Sequence, residues 1–499
     1  MDYAPDFPIR TPGLLYDVNS FVPDVSGNYQ TAPLPRTLAL DITSGGSTVN
    51  VFVGAACLRI NETNNRTFLG SRTKLFTDDG ADLSPATTFS MITDGAWTFT
   101  AFNDRVIAAN GVDPLRQRAL DTSTDAFTAI GGAPRALIVL QHENAVLALG
   151  GATNSQGWYC SDTGDYTQWS AAPNNNADSG VLYGGIGGPL TAGATWDKYA
   201  IAFKANAMYA GVRVEEIDQA IRWTTINDQV GCVAPYAWTK TELGLVFISE
   251  RDVLIYDGGK PLSIADKIRR KFFSTARFNI RRTFVTHDEL ERNIYFWCSS
   301  ADGDVRWPTM AFVYNYRSGK WGKLPTIQTL GTAYVAARCP VAGSGLANNS
   351  LGAPVSFDDG TGPLEGQANL VVMYDADRAY LTNVCHRAIG GSGMTRHSTG
   401  KPSITTGYVG APDMDSTLSR VLVVPETLGV DPESGIITTI REDASTTQQA
   451  AGISPTGMID RVTVGRYFQA NVTWPATIEK QTIAAMQPVF APTGPKKGR

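Results

Sequence analysis

No stretch of about 18 uninterrupted apolar residues occurs in the 499-residue chain, so no membrane-spanning helix is expected. Histidine is scarce: His142, His287, His386 and His397 never fall at a metal spacing such as His-x-x-x-His. Cys385 adjoins His386, but one pair does not make a site. The 6 cysteines (Cys57, Cys160, Cys232, Cys298, Cys339, Cys385) include no Cys-x-x-Cys pair and fit buried free thiols better than a disulfide framework or a zinc site. The acidic turns Asp78-Asp79-Gly80, Asp302-Gly303-Asp304 and Asp358-Asp359-Gly360 lack the spacing and terminal Glu of an EF-hand loop. The runs Gly150-Gly151 and Gly184-Gly185-Ile186-Gly187-Gly188 lack the Lys-Ser or Lys-Thr of a phosphate cradle. No catalytic residue, metal or cofactor is expected.

Charge is also sparse, at 18% of residues, with 42 basic against 47 acidic side chains and a net charge of −5. That balance argues against a protein that coats DNA by neutralising phosphates, though not against one that DNA merely passes. The opening Met1-Asp2-Tyr3-Ala4-Pro5-Asp6 lacks the basic and then apolar stretch of a secretory signal, so the chain is expected to be made and kept in a cytoplasm.

What the chain does have is 43% hydrophobic and 10% aromatic residues, enough for a large core, together with 49 Gly and 27 Pro. The recurring pattern is a short apolar run, a polar break and a second apolar run, which reads as an antiparallel hairpin. Breaks lie near residues 104, 143, 205, 251, 291 and 376, roughly 40 to 85 residues apart, and the tighter intervals suit a four-stranded propeller blade. The runs are apolar throughout, as expected of inner strands buried on both faces. We expect an all-β fold: a six-bladed-like, irregular β-propeller over residues 1–385 with an N-terminal arm at 1–35. A linker at 386–402, a β-sandwich at 403–490 and a flexible tail at 491–499 follow.

Ser263 to Phe273 breaks the pattern. Ser263 can cap a helix, and Ile264, Ile268 and Phe272 follow at spacing four beside a basic face, so a short amphipathic helix is expected between two blades. Its Lys267, Arg269, Arg270 and Lys271, continued by Arg277, Arg281 and Arg282, form the longest concentration of one charge. They are the candidate assembly or DNA-contact residues, with a solvated or interprotomer face as the plainer reading.

Ser161-Asp162-Thr163-Gly164-Asp165-Tyr166-Thr167-Gln168-Trp169 resembles the Asp-box turn of sialidase-like propellers, a structural hairpin remote from catalysis. With Trp196 to Phe203, Gly231 to Tyr236 leading to Leu245 to Ser249, Ile264 to Arg270, Ile294 to Trp297, Phe312 to Tyr316 and Lys320-Trp321, it resembles the propeller-bearing tail-nozzle proteins of short-tailed bacteriophages (podoviruses). These are also called packaged-DNA stabilisation or tail-hub proteins. Pro8 to Gly13 is similar to the family's start. The likeness is densest over residues 160–325, whereas residues 340–400 are longer and richer in Gly than the family's pattern.

The resemblance implies a non-enzymatic virion protein of the tail, assembled in the bacterial host cytoplasm. It implies a homo-hexamer ring below the portal and head-to-tail adaptor, meeting tail fibre, tailspike or needle proteins, that extends the channel for passing double-stranded DNA, closes it to retain the packaged genome and opens for ejection. Two other readings stand beside it: a glycan-binding adhesin using Trp158, Tyr159 and Tyr166, and a sialidase-like hydrolase.

Overall fold

The computed structural model of the chain describes residues 2–325, 334–338, 370–383 and 402–491. Short stretches inside these spans are left aside, chiefly 42–51, 61–64, 184–187, 300–306, 411–415, 426–431, 441–444, 454–457 and 476–481. The expected linker (but for residue 402), the tail beyond residue 491, Cys339, Cys385, His386 and His397 lie outside the described residues. Among the described residues the chain is all-β apart from one α-helix, Arg269–Ala276, and a 3-10 turn, Ile280–Arg282. No described helix is long and apolar enough to cross a membrane.

Small antiparallel units follow one another along the chain, each a meander whose strands pair in sequence order. The first is three-stranded: Phe52–Arg59, Asn65–Ser71 and Leu75–Thr77. The next four are four-stranded, with first strands Thr98–Phe102, Ile138–His142, Leu190–Trp196 and Trp238–Thr241. A sixth, Phe284–Asp288 to Lys320–Leu324, ends a larger sheet. A seventh joins Tyr334–Arg338, Leu370–Asp375 and Arg378–Asn383 to Arg36–Asp41 from the chain's beginning, with Thr382 opposite Thr37. Among the described residues seven units are therefore present where six were expected.

The second strands are the apolar runs seen in the sequence. Ala145–Leu149 and Asn293–Cys298 are buried at every position, because each lies inside its own sheet and between neighbouring units. Tight turns join the first and second strands. Asn103, Glu143 and Asp197 occupy equivalent positions there, with φ of 52°, 51° and 52°. That left-handed geometry is tolerated by Asn and Asp and costs more at Glu.

First strands of successive units lie side by side, from Phe52–Arg59 through Thr98–Phe102 and Ile138–His142 to Leu190–Trp196. Trp238–Thr241 lies beside Phe284–Asp288, which touches Tyr334–Arg338, and that strand returns to Phe52–Arg59. The fourth and fifth units meet through Phe203 and Phe247, with ring centroids 5.1 Å apart. Side chains fasten other seams: Thr98 and Thr100 hydroxyls accept the edge N–H groups of Val139 and Gln141, each at 3.1 Å.

The C-terminal strands, Ser403–Thr406 to Thr482–Ala491, join the larger sheet path. Leu418, Val421, Ile437, Ile459, Phe468 and Val472 share one core with Leu15, Val18 and Phe21 of the N-terminal segment. Residues 1–35, read as an arm, act as a splice. Leu14–Asn19 pairs with Ser403–Thr406, Tyr29–Thr31 with Thr482 and Ile483, and Phe21 with Lys323 of the sixth unit.

Candidate functional site: the basic helix and the axial cavity

Between the fifth and sixth units the chain leaves the sheet at Leu262–Ser263 and enters its helix only at Arg269, six residues after the expected cap. Ser263 is still the end of a strand, paired with Leu254. Its hydroxyl bonds Asp252 at 2.9 Å and receives the Arg269 guanidinium at 2.8 Å. The cap comes from the other end of the chain. The Asp6 carboxylate accepts the backbone N–H groups of Arg270 and Lys271, satisfying two donors that a helix start leaves open and placing a negative charge at the positive end of its dipole. Ile268, Phe272 and Ala276 are buried, so the apolar stripe is real, but it begins in the turn ahead of the helix.

The four basic residues divide into two pairs. Lys267 forms an ion pair with Asp2, and its carbonyl accepts the Asp6 N–H at 3.2 Å. Arg269 pairs with Asp252 at 2.9 Å and with Asp266 at 2.8 Å. These two cations hold the helix to the N-terminal segment and to the fifth unit. Arg270 and Lys271 have exposed side chains. Farther along, Arg282 stacks over Trp307 at 4.6 Å, and Arg277 lies outside the described residues.

A second feature was not anticipated from the sequence. A cavity of about 660 Å³ opens where the first strands of the first five units converge. Its polar wall includes Thr98, Thr100, Gln141, Glu143, Thr195 and Asp197, and its apolar wall includes Phe99, Tyr236 and Trp238. Glu143 and Asp197 directly follow the first strands of the third and fourth units, so both carboxylates stand at the same end. Glu242 and Glu289 directly follow the first strands of the fifth and sixth units in the same way, but neither lines the cavity. Glu242 is paired with Arg292 at 2.8 Å.

Burial holds four further titratable groups neutral. Burial pushes the Cys160 thiol up to about 11 and the Cys298 thiol up to about 12, so both stay protonated and unreactive. His142 is held below its ordinary value by burial and further by Arg213. His287 is pushed down to about 4 by burial and by the nearby Arg292 cation, and its Nε2 lies 3.2 Å from the Tyr316 hydroxyl.

The Asp-box-like segment closes on itself. Asp165 Oδ1 accepts the Thr167 N–H at 2.8 Å, and the Trp169 indole N–H donates to the Tyr166 carbonyl at 2.7 Å. Trp158, offered for a sugar platform, is 6% exposed, its ring 6.0 Å from that of Trp223 and close against Gly180. Tyr166 is half-buried beside Phe102 of the second unit, at 6.4 Å.

No protein-family model and no curated protein matches the chain. Among solved structures it is similar to the computationally designed Ika8 protein at 10% identity and a TM-score of 0.38, over 70% of this chain and 100% of that one.

Proposed function

We propose that the seven units are blades of one β-propeller closed by the strand Arg36–Asp41, and that the chain is a structural subunit of a short-tailed phage's tail nozzle. In this reading the C-terminal strands form the β-sandwich. The observation that carries the reading is the helix Arg269–Ala276. The family resemblance expects a helix between two blades; this one lies between the fifth and sixth units, and it presents Arg270 and Lys271 to solvent while Asp6 and Lys267 tie it to the N-terminal segment.

Two further features fit a wall-building part. The N-terminal segment pairs with both the sixth unit and the C-terminal strands, which couples propeller and sandwich into one body. The axial cavity is small and acid-rimmed, so a DNA duplex would run between copies arranged around a shared axis. Copies of the chain would close into a hexameric ring below portal and adaptor, contact the fibre, tailspike or needle proteins, retain packaged DNA and release it on infection. The glycan-binding alternative would rest on Tyr159 and Tyr166, which are half-buried, since Trp158 is 6% exposed.

Deleting the gene from its source phage and measuring the DNA that particles keep tests the proposal. Heads that package and then leak, with a shortened tail stub in electron micrographs, are expected. Full, stable particles that fail only to adsorb would refute it in favour of an adhesin.

A further inference from the structure

We propose that the axial cavity is a binding site for a small organic cation bearing ammonium groups. Its volume, about 660 Å³, lies in the range of small-molecule sites, and it joins an aromatic wall to a few convergent polar groups. Among the described residues that line it there is no Lys or Arg, while Glu143 and Asp197 supply two carboxylates. An anionic ligand would face those carboxylates with no opposing cation.

The aromatic wall suits the same charge. The Trp238 indole N–H donates to the Pro235 carbonyl at 3.0 Å, which fixes the ring, and Trp, Tyr and Phe rings attract cations.

The turn geometry gives these carboxylates a purpose. Glu143 is kept at a φ of 51°, a conformation that Asn or Gly would adopt at lower cost, and this exposed turn residue is one of those that line the cavity. Glu143 and Asp197 are the carboxylate residues that line the cavity, so they are the ones that contact the ligand.

The test is isothermal titration of the full chain at constant ionic strength with butane-1,4-diammonium. Butane-1,4-diol is the neutral control of equal length, and magnesium chloride is the inorganic one. Saturable binding of the diammonium is expected, with neither control competing. The double variant E143Q/D197N, shown to be folded by its unchanged urea midpoint, should bind about tenfold more weakly or worse, corresponding to about 1.4 kcal/mol. No saturable binding to the wild-type chain, equal binding of the diol, displacement by magnesium, or undiminished binding by the folded double variant would each overturn the proposal. None of these readouts depends on assembly into a virion, so failure here leaves the nozzle reading untouched, and the reverse also holds.

Discussion

The Asp6 carboxylate accepts the backbone N–H of Lys271 at 3.0 Å, a contact that spans 265 positions of sequence. It makes the start of the helix depend on the first residues of the chain. Replacing Asp6 by Ala should cost about 1 kcal/mol, the usual worth of a helix N-cap, whereas Asn, which keeps an acceptor oxygen, should lose less. Urea midpoints of the two variants check this. Equal stability of Asp6→Ala and wild type would show that the cap contributes nothing.

That contact also marks what the sequence could reveal. A capping serine is recognised from its neighbours, and Ser263 fits the local pattern, but a cap supplied across hundreds of residues leaves no local signature. The count of units failed for a related reason. Each of the six polar breaks falls in a different unit, and the missed one is Phe52–Thr77, where Arg59 interrupts the apolar run before the turn. The seventh unit draws its fourth strand from Arg36–Asp41, which no repeat interval discloses. All-β character was legible because inner strands such as Asn293–Cys298 are apolar at nearly every position. The cavity was not, since its wall combines residues from five separate units.

Trp97 stands at the seam between the first and second units, and its indole N–H donates to the Ser71 carbonyl at 2.6 Å. A Cβ at Gly70 would sit 2.1 Å from that ring, and one at Gly54 would sit 2.2 Å from the Trp97 carbonyl oxygen. The anchored indole has little freedom to move, so Gly70→Ala should destabilise by about 1–3 kcal/mol or more through overpacking. A control is Gly259→Ala, whose nearest neighbour is a flexible Asp257 oxygen at 3.3 Å and whose effect should be small. Thermal melts of both variants compare the two costs.

Acid should weaken the contact between the fifth and sixth units. His287 has its folded value pushed down to about 4 from an ordinary 6.5, so below pH 6.5 the unfolded chain takes up a proton that the folded chain refuses. Stability from this residue is complete above pH 6.5 and falls as pH drops toward 4. The expected loss between pH 8 and pH 5 is about 2 kcal/mol. Denaturation at the two pH values should show this difference in the wild-type chain and a reduced one in His287→Gln. An unchanged pH slope in that variant would mean that other groups govern acid lability.

The division of the basic helix separates folding from assembly. Arg269 is bound to Asp252 and Asp266, and Lys267 to Asp2, so reversing either charge puts like charges together inside one chain and should lower its stability. These pairs are partly exposed, so the loss should stay near 1 kcal/mol. Arg270 and Lys271 project outward from the helix whose backbone Asp6 holds. Reversing both to Glu should leave the urea midpoint of the isolated chain close to wild type, apart from a gain of up to about 1 kcal/mol from acidic groups at a helix N-terminus. If this face contacts a neighbouring copy or DNA in the virion, the same R270E/K271E chain should fail to enter particles, or enter particles that leak DNA. Incorporation at wild-type level with full DNA retention would remove the helix from assembly and leave its basic face as a solvated surface.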